Sequence, residues 1–137
     1  MKHLVSAGIV VYRLVDGVIE YLLLRYAAGH WDFAKGKKEP GENNYQTAMR
    51  ELQEEAGITA TLLDGFEESF EYIFNNYDGN LAKKTVYFFV GKAEDSYVTL
   101  SCEHTEFAWL PYDAALKKLT HANAKELLKK VQVFLQK

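Results

Sequence analysis

The 137-residue chain has a single cysteine, Cys102. It can therefore form neither an intrachain disulfide nor a thiolate metal cluster, and this suits a reducing cytoplasm. No segment approaches the roughly 20 apolar residues that a membrane-spanning helix needs. The opening Met1-Lys2-His3-Leu4-Val5-Ser6-Ala7-Gly8 lacks the long apolar stretch of an export leader. Basic charge is not in excess either: the formal net charge is −3, which gives no reason to expect a stable nucleic-acid complex. A local basic cluster could still bind a small polyanion. Internal repeats, low-complexity tracts and linkers are also missing.

What remains is an ordinary soluble composition, long enough for one compact domain over residues 1–137 that acts as a monomer. Leu4–Leu14 and Ile19–Arg25 are β-branched, apolar runs, and Asp16-Gly17 between them reads as a hairpin turn. Gly36–Gly41 reads as a loop closed by Pro40-Gly41. Asn43 or Asn44 then caps a helix to about Ala56, with Gly57 as its left-handed stop. Further strands are expected near Thr61–Phe74, Thr85–Ala93 and Phe107–Leu110, with a turn over Asn75–Lys83. A last amphipathic helix is expected over Ala122–Leu135. Strands, one early helix, more strands and a terminal helix predict an α/β sandwich with a mixed sheet.

On the first helix, a 100° advance per residue puts Tyr45, Ala48, Met49, Leu52 and Ala56 in one stripe, the expected core face. Glu51, Glu54 and Glu55 fall together on another face, at spacings where helical side chains are neighbours. Like charges so placed cost the helix roughly 0.2–0.5 kcal/mol per close pair, and they sit near the end where the dipole disfavours anions. A solvated acidic face is the ordinary reading of such a pattern. A bound divalent cation would relieve the repulsion. Carboxylates without cysteine or a histidine cluster favour Mg²⁺ or Mn²⁺ over zinc, which is the chemistry of phosphoryl transfer or pyrophosphate hydrolysis.

From Gly36 the chain reads Gly, five residues, Glu42, seven residues, Arg50-Glu51-Leu52, Gln53, Glu54-Glu55, Ala56, Gly57-Ile58. Over residues 36–58 this resembles the complete Nudix box, G-x5-E-x7-R-E-U-x-E-E-x-G-U, with U a bulky aliphatic residue. The resemblance implies the Nudix fold, a mixed sheet between helices with the box as loop–helix–loop. It also implies that Glu51, Glu54 and Glu55 bind metal, with the Lys35 carbonyl as a backbone ligand. Gly36, Glu42, Arg50 and Gly57 are then structural, with Glu42 and Arg50 expected to form an ion pair.

Outside the box, Ser6–Tyr12, Leu22–Leu24, His30-Trp31, Lys84-Thr85-Val86, Leu100–His104 and Trp109 are similar to asymmetrical diadenosine tetraphosphate hydrolases. That resemblance implies cleavage to ATP and AMP by in-line attack of a metal-activated water. Glu103 is the additional carboxylate, a metal ligand or base. Glu51 or Glu103 takes the proton, while Glu54 and Glu55 hold metal; His104 is expected to orient a neighbour. Phosphate contacts are expected from His30, Lys35, Lys83 and Lys84, and adenine contacts from Tyr72 and His121. Phe88, Phe89, Phe107 and Trp109 are read as core, and Tyr26 has no assigned place. Ala34, where proline is usual in the resembling enzymes, and Ala82, where a basic residue is common, are departures. The box alone serves equally a pyrophosphohydrolase of RNA 5′ ends or of nucleoside triphosphates. A nucleotide-sensing module without catalysis is the alternative of another class.

Overall fold

A computed structural model describes residues 1–137. Its elements run β1 (Lys2–Val15), β2 (Val18–Tyr26), β3 (Trp31–Asp32), β4 (Ala34–Lys37), α1 (Asn44–Ala56), β5 (Ala60–Leu62), β6 (Glu68–Asn75), β7 (Leu81–Ala93), β8 (His104–Pro111), α2 (Tyr112–Lys118) and α3 (Ala122–Leu135). Asp16 and Gly17 both have positive φ, 51° and 79°. This is the backbone a two-residue hairpin loop needs to match strand twist, and it fixes Val15 opposite Val18.

Long β1 organises the sheet. One of its edges pairs in parallel with β7, from Lys2↔Ala82 to Tyr12↔Lys92. The other pairs antiparallel with β4 through Ser6–Ile9 and with β2 from Tyr12 onward. β7 carries β6 and β5 along its far edge, and β2 carries β8 and β3. Alternation then divides the side chains into two cores. Val10, Tyr12, Tyr21, Leu23, Val86, Phe88 and Val90 pack under α2 and α3, against Ala115, Leu119, Leu127, Leu128 and Val131. Ala7, Ile9, Val11, Leu22, Leu24 and Phe89 pack under α1, against Ala48, Leu52 and Ala56. A sheet buried on both faces between helices is the expected mixed α/β sandwich. Truncating a fully buried anchor such as Leu52 to Ala costs about 2–5 kcal/mol in such a core.

Several boundaries differ from the expectations, each for a tertiary reason. Gly36 and Lys37 lie within β4 rather than in a loop, because Ser6 and Ala7 offer them a ladder edge. The Thr61–Phe74 run divides into β5 and β6 around Gly65, whose φ of 95° breaks the strand. The turn after β6 is shorter than Asn75–Lys83, since β7 begins at Leu81. Helix α2 was not expected, although Asp113 in its first turn and Lys117 and Lys118 in its last suit the helix dipole. Among the aromatics read as core, Phe88 and Phe89 are buried, whereas Phe107 is 42% exposed on β8.

Candidate functional site

Helix α1 is fixed at both ends. The Asn43 side chain accepts from the Gln46 N–H while Gln46 reaches back to the Asn43 N–H, a capping box. Gly57 closes the helix at φ 68°, where a Cβ would be strained. The buried arc is rotated from the expected stripe. Thr47, Ala48, Leu52, Glu55 and Ala56 are buried, whereas Tyr45 is exposed and meets Phe89 edge-on. Glu55 therefore belongs to the packed side of the helix. It is 2% exposed, while the Glu51 side chain is 15% and that of Glu54 57% exposed. The three acids form a gradient from interior to solvent.

A buried carboxylate requires partners. Glu55 Oε2 accepts from the Lys35 backbone N–H at 3.1 Å, and Oε1 lies 3.0 Å from the Tyr26 hydroxyl. The His104 Nε2 is also 3.0 Å from Oε1, without hydrogen-bond alignment. Burial pushes the Glu55 carboxyl well above the usual carboxylate range, and the adjacent Glu51 charge pushes it further. Burial likewise raises Glu51, against the pull of Arg50. Burial lowers His104, which favours a neutral imidazole, and raises Tyr26, which favours a protonated phenol.

Glu51 lies against the Gly36 backbone, and a Cβ built at Gly36 would overlap its carboxylate. Arg50 ties the box together. Its Nε and Nη2 meet both Glu42 oxygens at 2.6 and 3.1 Å, and Nη1 reaches Glu51 at 2.9 Å and Glu54 at 3.0 Å. Nη2 also donates to the Lys37 carbonyl at 2.9 Å, binding the helix to β4. The Arg50 hydrogen bonds, followed by the Glu39 N–H, hold Glu42 down at a pKa of about 2.

The donor set suits a hard divalent cation: carboxylate oxygens, one of them on a buried side chain, and no sulfur. The Lys35 carbonyl is consistent with it. In an antiparallel ladder the N–H and C=O of one residue face the same way. Because the Lys35 N–H is bonded to Glu55, its carbonyl also turns from β1 toward the acids. No three acidic, His or Cys side chains form a closed cage; Arg50 bridges Glu51 and Glu54 instead. Glu103 is on the loop before β8, exposed. That loop is docked beside the acids, since Ser101 N–H donates to the Glu55 carbonyl and the Glu103 carbonyl accepts from Ala27. His104 is oriented there by Ser101, with Nδ1 3.0 Å from Oγ.

On the other side of Lys35 lies a cavity of about 470 Å³, with His30, Asp32, Lys35, Tyr72, His121 and Asn123 among its lining residues. Lys35 Nζ is held 2.8 Å from the buried Asp32 Oδ2. The loops carrying His30 and His121 are clamped by a reciprocal pair: Trp31 N–H to Thr120 Oγ1 at 2.8 Å and Thr120 N–H to the Trp31 carbonyl at 3.3 Å. Helix α3 starts at the cavity with no side-chain cap on its first-turn N–H groups, an end that attracts negative charge.

The structure thus gathers His30, Lys35, Tyr72 and His121 around one cavity. Lys84 is opposite Tyr72 on β7, on the same strand face as the cavity residues Val86 and Phe88. Lys83 points to the opposite face, where it pairs with Glu71 at 3.2 Å. Asp32 and Asn123 carry no motif in the sequence, and Tyr26 has no place assigned by one. Asp32 and Tyr26 flank His30-Trp31 and Lys35, so adjacency to candidate residues was their one signal.

Residues 2–131 match the model of the NUDIX domain. A Caenorhabditis elegans protein named asymmetrical bis(5′-nucleosyl)-tetraphosphatase is 38% identical, covering 95% of each chain. A Sus scrofa protein of the same name is 36% identical, covering 95% of this chain and 94% of its own. Among solved structures, a C. elegans Ap4A hydrolase in a binary complex is similar with a TM-score of 0.86 and 34% identity, over 97% of this chain and 98% of that one.

Proposed function

The chain belongs to the Nudix family, and from that premise we propose that it cleaves diadenosine tetraphosphate asymmetrically, to ATP and AMP, with Mg²⁺ or Mn²⁺. The carrying observation is Lys35. Its backbone N–H binds the buried acid Glu55, while its side chain lines the cavity. One residue therefore joins a carboxylate cluster suited to a divalent cation to a pocket of nucleotide dimensions.

In this reading Glu51, Glu54, Glu55, the Lys35 carbonyl and Glu103 hold the cation. When bound, it lowers the pKa of water and offsets the phosphate charge. Glu51 and Glu103 are the two acids assigned to receive the proton of the attacking water. Lys35, His30 and Lys84 bind phosphate oxygens. Tyr72 and His121, both lining the cavity, offer flat faces to adenine. Lys83 contributes only charge at a distance, from the other face of β7. Gly36, Glu42, Arg50 and Gly57 hold the loop and helix in place. The whole chain is one domain acting as a monomer on a small nucleotide, in a reducing cytoplasm. No helix is long and apolar enough to cross a membrane.

Incubation with diadenosine tetraphosphate, nucleoside triphosphates and 5′-triphosphorylated RNA, each with Mg²⁺ and with Mn²⁺, tests this directly. Equimolar ATP and AMP from the dinucleotide is the expected result. Preferential release of pyrophosphate from triphosphates or RNA would overturn the substrate, and no cation-dependent turnover would overturn the activity.

A further inference from the structure

Tyr26, at the end of β2, connects the two halves of the site. Its hydroxyl lies 3.0 Å from Glu55 Oε1 and 3.0 Å from the Phe33 carbonyl. Both are acceptors, so the phenol proton is directed into the interior beside the acid. Its ring stacks on His30, with centroids 4.7 Å apart and planes 4° from parallel. The same ring meets the buried His104 edge-on at 4.3 Å. His30 in turn lies 5.4 Å from His121 across the cavity wall. One side chain therefore touches the most buried acid through its hydroxyl and the nucleotide wall through its ring.

Resting on the metal role given to Glu55 above, we propose that Tyr26 is a positioning residue: its hydroxyl sets the Glu55 carboxylate for the divalent cation, and its ring carries His30 against the nucleotide. The physical basis is rotamer control. Oε2 is fixed by the Lys35 N–H and Oε1 by the phenol, so the plane of the carboxylate is set before a cation arrives. Without the hydroxyl, Oε1 loses its one aligned hydrogen bond and retains the unaligned His104 contact, so the carboxylate is less restrained about its Oε2 bond.

Tyr26→Phe removes the hydroxyl and keeps the ring; Tyr26→Leu removes both. Mn²⁺ binding is read from the electron paramagnetic resonance of free Mn²⁺, and AMP binding by calorimetry in EDTA, with Glu55→Gln alongside. Loss of a partner that orients a metal ligand weakens metal affinity by about 10–100-fold. Tyr26→Phe is expected to weaken Mn²⁺ by at least the lower figure while AMP affinity and far-UV circular dichroism stay as in the wild type. Tyr26→Leu weakens both ligands. A merely structural tyrosine would not separate the two readouts. If Tyr26→Phe binds Mn²⁺ like the wild type while Glu55→Gln does not, the positioning role is wrong. If Glu55→Gln also binds Mn²⁺ normally, the metal role of Glu55 fails first.

Discussion

The carboxylate of Glu51 occupies the space in which a side chain at Gly36 would begin. The glycine is therefore required by the acid facing it, and not by a left-handed backbone, since its φ is not positive. Gly36→Ala is expected to displace Glu51 or push β4 away from α1. The end of a flexible side chain can give way at small cost in stability, so the larger effect expected is on the cation, whose affinity weakens when an acid assigned to it is displaced. Mg²⁺ titration of activity checks this: half-activation moves to higher Mg²⁺ even where thermal unfolding shows the variant folded.

The Arg50 fork predicts that lysine cannot replace it. Arg50→Lys keeps the charge, yet one ammonium cannot meet both Glu42 oxygens, Glu51, Glu54 and the Lys37 carbonyl at once. The expected loss is on the order of 2 kcal/mol of stability, since hydrogen bonds to charged groups are each worth about 1.5–3 kcal/mol. Urea unfolding checks the figure, and Arg50→Lys as stable as the wild type would remove the fork from the account.

Glu42 carries a pH dependence. Its pKa is about 2 in the folded chain against 4.5 for a free glutamate side chain, so the unfolded state binds protons first as pH falls. The contribution is present in full above about 4.5 and is lost as pH drops toward about 2. Glu42→Gln should flatten the acid limb of a stability–pH curve in that window and leave neutral-pH titration behaviour unaltered. An unchanged acid limb in Glu42→Gln would contradict the assignment.

The cavity predicts a split in kinetics. Tyr72→Ala removes a flat, 40% exposed ring from the cavity lining. Stacking on a base is worth about 1–3 kcal/mol, which corresponds to a rise in KM of roughly 5–150-fold with a much smaller change in kcat. Steady-state kinetics on the dinucleotide decides it; an unchanged KM would move adenine elsewhere.

The sequence made the helix legible because its signals are local. Asn43 and Gly57 mark its ends within one turn of the chain, and the box spacing places the acids. Which acid is buried was not legible: the stripe of Tyr45, Ala48, Met49, Leu52 and Ala56 fits helical periodicity, but the sheet underneath decides the angle at which α1 sits. That rotation exposes Tyr45 and buries Glu55. Tyr26 is illegible for a related reason, since its partner Glu55 lies 29 residues away and is met only in the folded chain; Asp32 pairs with Lys35 only three residues on, and its burial is what the sequence does not reveal. Adjacent Lys83 and Lys84 face opposite ways on any strand, and the pairing of β7 with β6 puts Lys84, which the resemblance already favoured, on the face of the cavity residues Val86 and Phe88.

The most direct test of the account uses Glu54, whose side chain is 57% exposed and contributes nothing to the core. Wild type and Glu54→Gln are compared on diadenosine tetraphosphate at saturating Mg²⁺ under single-turnover conditions, with both products identified. Equimolar ATP and AMP are expected from the wild type, with a rate for Glu54→Gln lower by about 100-fold or more, equivalent to about 2.7 kcal/mol in the barrier. Full turnover by Glu54→Gln would contradict it.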